Sequence, residues 1–389
     1  MKKIAFYYYG NLLPAHQGNS KLAVSILSYL KGCNLFEVTL LVVNDAPLDE
    51  SQYRGLCDHL IAVDVSEIPW WARLLDKCFR FPQLDFYKRM ATSVWLRGRF
   101  FAQGVNYDCV MINYAQWEHV VPRQLRANSI LLSHDIMFFR LQSFLRGTLL
   151  NWWKILLNKS CELSIFKRFS KVIVLGEYEK DILLKSGLSD ERVVVMGMPI
   201  LNSINPVSEA IEPRYDFIFV GGDSAQNIAA LECFVGAFRG HSQVANQLCL
   251  AIAGSIGTGV AIREVDFGGM DIQVLGLVDD LSMAYARSKM VVGTIPMGSG
   301  IKVKVVEAMA HGKPVLATRK ALEGIPHEHA VNVVVLEEVE GSEFGDYILG
   351  ILSDVQVLAR YGDNARENIE EAFSEASCFG ELLSVIEKM

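Results

Sequence analysis

The chain has 389 residues, 51% of them hydrophobic, and a formal net charge of −7. This length is too great for one hydrophobic core and predicts two domains, while the negative charge argues against a general nucleic-acid binder. No run of 18 uncharged apolar residues occurs, so we expect no membrane-spanning helix. The eight cysteines are scattered without a C-x-x-C spacing, which favours reduced thiols in a cytoplasmic protein and argues against a structural zinc site.

The first half of the chain alternates short apolar runs with helical segments, a pattern that predicts a parallel α/β sheet. The first run, Ile4–Tyr9, is interpreted as a buried strand and not as a targeting signal, because it lacks a small-residue cleavage site. A helix from Ser20 to about Leu30 follows. Further strands are predicted at residues 36–43, 60–65, 107–113, 129–133, 171–175 and 192–196. The polar stretch 202–212 then predicts an interdomain linker.

Two of these strands end in polar side chains. Asn113 ends one of them, and His134 with Asp135 follows the next. Ligands bind at the carboxyl ends of strands in a doubly wound sheet, so a site is one interpretation of these residues. The other is that His134 and Asp135 only cap the helix that follows.

Two segments of the first half combine cations with aromatic side chains. Residues 67–101 contain seven Lys or Arg and three Asp or Glu, and residues 137–171 contain seven and one. Both segments are also rich in Trp and Phe, among them Trp70, Trp71, Trp152 and Trp153. An anionic membrane surface attracts such a mixture, so peripheral membrane contact is one interpretation. Core helices with a basic solvent face are the other.

A stretch of the second half, GTIPMGSGIKVKVVEAMAHGKPVLAT at residues 293–318, predicts a strand, a glycine turn and a helix. The turn and the start of the helix contain Gly298, Ser299, Gly300, Ile301 and Lys302. A glycine turn before a helix directs backbone N–H groups and the positive end of the helix dipole to one point, which favours phosphate binding. Lys304 and Glu307 are three apart and share a helix face. The alternative is an ordinary βαβ unit with a solvated Lys–Glu pair.

The motif GSGIKVKVVEAMAHGKPVLAT resembles the nucleotide-sugar motif of glycosyltransferase family 4. Other segments fit that family in the same order: FVGGDSAQNIAALECF at 219–234, LAIAG at 250–254, VLGLVDDLSMAYARSKMVV at 274–292 and NARENIEEAFS at 364–374. The resemblance implies an α/β protein of the GT-B fold, two facing Rossmann-like domains with a cleft between them. It places an acceptor-side domain at residues 1–200, a nucleotide-sugar-binding domain at 201–375, and a C-terminal helix at 376–389 that packs back on the first domain.

The same resemblance assigns roles to individual residues. Lys304 and Glu307 would act on the donor, and His134 with Asp135 would form the acceptor-side catalytic rim. The other implied substrate-binding residues are Gly18, Gly222, Asn227, Gly276, Leu277, Val278, Gly298, Ser299, Gly300, Ile301 and Lys302. Plain turns and helix caps are the alternative for Gly18 and for the segment after Gly276. Ser299 stands where many members carry a first glutamate, and no cation follows the first strand of the second domain, so we expect Lys304 alone to neutralise the pyrophosphate.

The combined interpretation is a retaining glycosyltransferase that moves a sugar from a nucleotide diphosphate sugar to a hydroxyl of a glycan or lipid-linked acceptor, in bacterial cell-surface polysaccharide synthesis. We expect no cofactor and no metal, since the H-E-H run at 327–329 lacks the H-E-x-x-H spacing. The expected location is the cytoplasm, with contact to the inner face of the membrane. A nucleotide-sugar epimerase of the same fold and a non-catalytic GT-B partner subunit remain as alternatives.

Overall fold

The structure, a computed structural model, describes residues 1–15, 18–78, 89–101, 106–144, 148–197, 199, 211–278, 280–297 and 300–389. The chain divides into two compact units, Met1–Pro199 with Glu375–Met389, and Ile200–Ser374. The linker predicted at 202–212 lies almost wholly outside the described residues.

The first unit is built on a parallel sheet. Its described strands are β1 (Lys2–Tyr9), β2 (Phe36–Asn44), β3 (His59–Asp64), β4 (Cys109–Asn113), β5 (Ser129–Leu132), β6 (Lys171–Val174) and β7 (Val193–Val195). They pair in the order β3-β2-β1-β4-β5-β6-β7. The helices that follow them are α1 (Gly18–Gly32), α2 (Trp70–Cys78), α3 (Met90–Phe101), α4 (Met137–Phe144), α5 (Leu149–Phe166) and α6 (Glu177–Lys185).

Strand β1 lies inside this sheet because it is apolar on both faces. It pairs with β2 from Lys2 to Tyr9 and with β4 from Ile4 to Tyr7. Ile4 and Tyr7 are three residues apart, so their side chains point to opposite faces of the sheet. Both are fully buried. This is the burial expected of a parallel strand covered by helices on both faces.

The second unit repeats this architecture. Its described strands are β8 (Tyr215–Val220), β9 (Cys249–Ala253), β10 (Asp271–Gly276), β11 (Ser288–Gly293), β12 (Val315–Ala317) and β13 (Val334–Val335), in the order β10-β9-β8-β11-β12-β13. Its helices are α7 (Ala225–Ala237), α8 (Ser242–Ala245), α9 (Leu281–Ala286), α10 (Val303–Ala310), α11 (Phe344–Ser353) and α12 (Val355–Ala372). Ser224 is the N-cap of α7, and its Oγ accepts from the Asn227 N–H at 3.3 Å.

Both sheets reverse their strand order at one point, between β1 and β4 in the first unit and between β8 and β11 in the second. The connections on the two sides of such a point run in opposite directions, so a crevice opens at the carboxyl ends of the two strands. Ligands of doubly wound proteins bind in that crevice. The fold therefore predicts one candidate ligand-binding site in each unit.

The last helix, α13 (Glu375–Glu387), belongs to the first unit. Lys2 Nζ donates to the carbonyl of Ile386 at 3.1 Å. The ring of Tyr29 on α1 lies 4.5 Å from the ring of Phe379, centre to centre. The end of the chain is thus packed against its beginning.

Candidate active site

Two turns meet at the switch point of the second unit. Gly221 and Gly222 follow β8, and residues 294–302 connect β11 to α10. Gly221 N–H donates to the carbonyl of Ala253 at 2.9 Å, and a Cβ at Gly221 would lie 2.8 Å from Asn227 Nδ2. A side chain at residue 221 would therefore displace the Asn227 carboxamide.

Lys304 joins the two turns. From the first turn of α10, its Nζ donates to Asn227 Oδ1 on α7 at 2.7 Å and lies 4.2 Å from the ring centre of Phe219. Asn227 Nδ2 in turn donates to the carbonyl of Gly222 at 2.7 Å. The Asn227 carboxamide thus holds both the lysine and the first glycine turn, which brings three of the sequence-predicted residues together.

The charge of Lys304 is poorly solvated. Burial, with a smaller contribution from the positive charge of Lys302, lowers the pKa of Lys304 to about 7. A bound anion would favour the charged form again. Perturbed groups of this kind concentrate at functional sites, and the contacts to Asn227 and Phe219 distinguish Lys304 from a solvated surface lysine.

The helix after the second turn begins later than the sequence suggested. α10 starts at Val303, and Lys302 is its N-cap residue. Of the N–H groups expected there, at Ser299–Lys302, that of the N-cap Lys302 lies at the helix N-terminus, those of Gly300 and Ile301 precede it, and Ser299 lies outside the described residues. By position, the N–H groups at the helix N-terminus are those of Lys302, Val303 and Lys304.

The turn itself is only partly described. Gly300 has φ +77°, a conformation that favours glycine, and its carbonyl accepts from Lys302 Nζ at 2.6 Å. Ile301 is buried. Gly298 and Ser299 lie outside the described residues. Ile301 and Lys302 therefore shape the turn that precedes α10.

Glu307 lies one turn further along α10, near Tyr285 of α9. Burial, and then the negative charge of Glu307, raise the pKa of Tyr285 well above its usual value. The Tyr285 ring is fully buried and lies 4.9 Å from the ring of His311. Helix α10 thus presents a cation in its first turn and a carboxylate one turn later.

The segment after β10 forms an exposed edge beside these turns. Leu277 is 83% exposed, and Val278 is half-buried. Gly276 has φ +69°, and its carbonyl accepts from the Gly254 N–H at 2.6 Å. Asp280 is the N-cap of α9, and its Oδ1 accepts a backbone N–H of the first turn at 2.8 Å. The structural alternative therefore holds for Asp280, while Leu277 is open to a ligand.

Gly254 gives a test of this loop packing. Its φ is +100°, and a Cβ there would lie 2.2 Å from the carbonyl oxygen of Gly221. We expect Gly254→Ala to lower the free energy of unfolding by about 3 kcal/mol, from backbone strain and overlap together. Gly240 has φ +91° with open space around it, so Gly240→Ala reports the strain alone. Equal losses for the two variants in urea unfolding would contradict the close approach.

The first unit has a polar cluster at its own switch point. A hydrogen bond of 2.7 Å joins His134 Nε2, after β5, to Asn113 Oδ1 at the end of β4. The rings of His134 and Tyr114 lie 4.6 Å apart. Asp135 pairs with Arg140 at 2.9 Å. Tyr114 has φ +68°, which is strained for a bulky residue and is typical of functional sites.

The N-terminus of α1 lies beside this cluster. Gly18 is its first residue, and the next residue, Asn19, hydrogen-bonds with the hydroxyl of Tyr114. The residue that follows Gly18 thus contacts Tyr114 of this cluster.

His134 is neutral at neutral pH, because burial lowers its pKa to about 4. The helix that follows His134 is capped by Glu162. Its side-chain oxygens accept the N–H groups of Met137 and Phe138 at 2.9 and 2.8 Å at the start of α4. The ring of His134 instead faces the end of β4. It is available as a neutral hydrogen-bonding group.

Phe219 is the site residue that sequence reasoning missed. It is fully buried and its segment predicts an ordinary core strand. Only the arrival of Lys304 over its ring gives it a role beyond packing. A cation–π contact of this kind leaves no pattern in the sequence.

Known proteins resemble this chain in sequence over part of its length and in fold over all of it. Residues 214–354 match the family model described as Glycosyl transferases group 1, while no curated protein sequence matches the chain. Anabaena HepE, solved with UDP and glucose, aligns over 100% of both chains with a TM-score of 0.68 and 16% identity. Sucrose-phosphate synthase from Thermosynechococcus elongatus covers 100% of this chain and 99% of its own, with a TM-score of 0.70 and 15% identity. A variant of S. aureus TarM, solved with fondaparinux, α-GlcNAc-glycerol and UDP, covers 99% and 100%, with a TM-score of 0.67 and 11% identity.

The fold and the matched segment together define the class of this protein. It has the GT-B fold, as predicted, and residues 214–354, which contain both turns and Lys304, form a glycosyl transferase group 1 domain. The matched domain identifies the protein as a glycosyltransferase. Its assignment to family 4 stays a prediction.

Proposed function

We propose that this protein is a retaining glycosyltransferase that transfers a sugar from a nucleoside diphosphate sugar to a hydroxyl of a glycan or lipid-linked acceptor in cell-surface polysaccharide synthesis. The observation that carries the proposal is the hydrogen bond between Lys304 and Asn227 across the switch point of the second unit. It holds a poorly solvated cation between a glycine turn and the N-terminus of α10. A pyrophosphate is the anion that such a site stabilises best.

The reaction breaks the bond between the anomeric carbon of the sugar and the phosphate oxygen. The nucleoside diphosphate leaves with the electron pair, the acceptor oxygen bonds to the same carbon with retention, and one proton is released. Negative charge develops on the departing phosphate, where Lys304 Nζ and the first N–H groups of α10 would stabilise it. Glu307 would accept hydrogen bonds from the ribose hydroxyls, and the edge at Gly276–Val278 would receive the base.

The cluster of the first unit is proposed to serve the acceptor or the transferred sugar. His134 is neutral and hydrogen-bonded to Asn113, so it can orient a sugar hydroxyl without bringing a charge. Asp135, held by Arg140, would accept a second hydroxyl.

Incubation of the purified protein with UDP-, GDP- and ADP-sugars tests this function. UDP is the first candidate because the HepE and TarM structures contain it. A nucleoside diphosphate that binds should raise the free energy of unfolding by about 2.7 kcal/mol at 100 times its dissociation constant. Slow release of that diphosphate from the sugar, without any acceptor, is expected. Binding without release from any donor would indicate a non-catalytic subunit, and interconversion of epimers without release would indicate an epimerase.

Turnover should survive chelation of divalent metal. Lys304 and the helix N-terminus already provide the positive charge that the leaving diphosphate needs. Among the residues that the structure describes, no three His, Cys, Asp or Glu side chains are grouped to hold a metal ion. Equal rates with excess EDTA and with added Mg²⁺ or Mn²⁺ are the expected result. An absolute metal requirement would mean that the phosphate chemistry is wrongly assigned.

A further inference from the structure

Two helices of the first unit turn their apolar side outward. The exposed apolar side chains are Trp70, Trp71, Leu74 and Leu75 on α2, and Leu149, Leu150, Trp152, Trp153, Leu156 and Leu157 on α5. Trp70 is 74% exposed and Leu149 is 75% exposed. Surface helices of globular proteins normally bury their apolar side. An outward apolar side of this size marks an interaction surface.

The orientation of α2 is fixed by its polar side. At about 100° per residue, the four exposed apolar side chains span about 140° of the helix, and the buried Ala72 and Asp76 lie opposite them. Asp76 Oδ1 accepts the Ala91 N–H at 2.7 Å and the Thr92 N–H at 3.4 Å, and so caps the start of α3. Rotating α2 to bury its tryptophans would break this cap. The hydrogen bonds of Asp76 therefore keep Trp70 and Trp71 on the outer side of α2.

Helix α5 is oriented in the same way. Its six exposed apolar side chains span about 160° over the first turns, and the buried Asn158 and Glu162 lie opposite them. The Glu162 carboxylate caps α4 through the N–H groups of Met137 and Phe138. A buried carboxylate again holds the polar side of the helix inward.

The charges that remain on these helices are positive. The cations that flank the two apolar sides are Arg73, Lys77, Lys154 and Lys159. The carboxylates of the two helices, Asp76 and Glu162, are the buried caps. An apolar stripe with cations along its edges is typical of helices that lie in a membrane interface, where the cations reach the headgroups.

We propose that α2 and α5 attach the first unit to an anionic lipid bilayer surface, with their apolar sides toward the acyl chains. The two helices are linked within the first unit through α3 and the turn Ala115–Val120. Helix α3 contacts both α2 and this turn, and α5 contacts the same turn. Two copies of the chain meeting through these surfaces would bring their cations together, whereas anionic headgroups neutralise them. Among the described residues, no helix is long and apolar enough to cross a membrane.

Vesicle sedimentation of the full chain tests the proposal. We expect the protein to pellet with vesicles of phosphatidylcholine and phosphatidylglycerol but not with phosphatidylcholine alone, and to be released by high salt. Changing Trp70, Trp71, Trp152 and Trp153 to Ser should lower the bound fraction by about tenfold or more, and Lys77→Glu with Lys154→Glu should do the same. Arg168 is left intact because it pairs with the buried Glu118.

The matched control replaces exposed apolar residues of the second unit. Val260 and Val355 are 73% and 78% exposed, and Val260→Ser with Val355→Ser should leave vesicle binding unchanged. All variants should keep the wild-type melting temperature and nucleoside diphosphate binding. Failure of the wild type to pellet with anionic vesicles would overturn the proposal. So would unchanged pelleting of the four-tryptophan variant, or a dimer in sedimentation velocity that this variant converts to a monomer.

Discussion

Replacing Lys304 with Met is expected to weaken nucleoside diphosphate binding by about 10²–10³-fold, which corresponds to about 3–4 kcal/mol for a lost charge-assisted contact in a poorly solvated site. Binding of the nucleoside alone should change little, because it lacks the charged groups that Lys304 contacts. The melting temperature should stay the same or rise, since Met fills the space over Phe219 without burying a cation. Isothermal titration with UDP and with uridine measures the difference.

Lys313 is a matched control for this variant. It is also half-buried, and its pKa is also lowered by burial. Its Nζ donates to the carbonyls of Ala286 and Ser288, at the amino end of β11 and thus at the opposite edge of the sheet. Lys313→Met should cost stability and leave binding intact. Equal losses for nucleotide and nucleoside in Lys304→Met would show that the role of Lys304 is structural.

The same lysine predicts a pH dependence of binding. Its pKa is about 7 in the free protein, and a bound diphosphate raises that pKa, so binding takes up a proton at pH values between the two. At pH values above about 7 the terminal phosphate of the nucleoside diphosphate is already fully ionised, because its own pKa is about 6. The dissociation constant should therefore rise with pH above about 7, by up to about tenfold per unit, and Lys304→Met should abolish this rise. A flat profile for the wild type would contradict the assignment.

Replacing Glu307 with Ala is expected to lower kcat/KM for the nucleotide sugar by about 10²–10³-fold while the fold stays intact, because each hydrogen bond from a ribose hydroxyl to a carboxylate contributes about 1.5–3 kcal/mol. Unlike Lys304→Met, this variant should lose nucleoside affinity as well as nucleotide affinity. The kcat/KM of Glu307→Gln should lie between those of the wild type and Glu307→Ala, since an amide oxygen still accepts a hydrogen bond.

Glu370 on α12 provides the control for loss of a carboxylate. It is an exposed residue that pairs with Arg366 within the same helix, so Glu370→Ala should change neither turnover nor affinity. Steady-state kinetics with the best donor, together with circular dichroism spectra, checks both variants. Near wild-type turnover of Glu307→Ala would remove Glu307 from the proposed site.

The sequence determined the elements wherever the signal was local. Strands β2 and β6, at Phe36–Asn44 and Lys171–Val174, differ by one residue from the predicted ranges 36–43 and 171–175, because apolar runs depend only on near neighbours. The motif around Lys304 also predicted the class of protein. The start of α10 was misplaced, since an N-cap at Lys302 without a capping side chain carries no local signal.

The contacts that give these residues their chemistry were decided by the tertiary structure alone. Lys304 and Asn227 are 77 residues apart and meet only because the strand order places β8 beside β11. The sequence likewise showed that tryptophans and cations are mixed around Trp70 and Trp152, but not which side of each helix faces solvent. The orientation is set by Asp76 and Glu162, which are buried and accept backbone N–H groups at the starts of α3 and α4. Turning either helix would leave a buried carboxyl group and these N–H groups without partners.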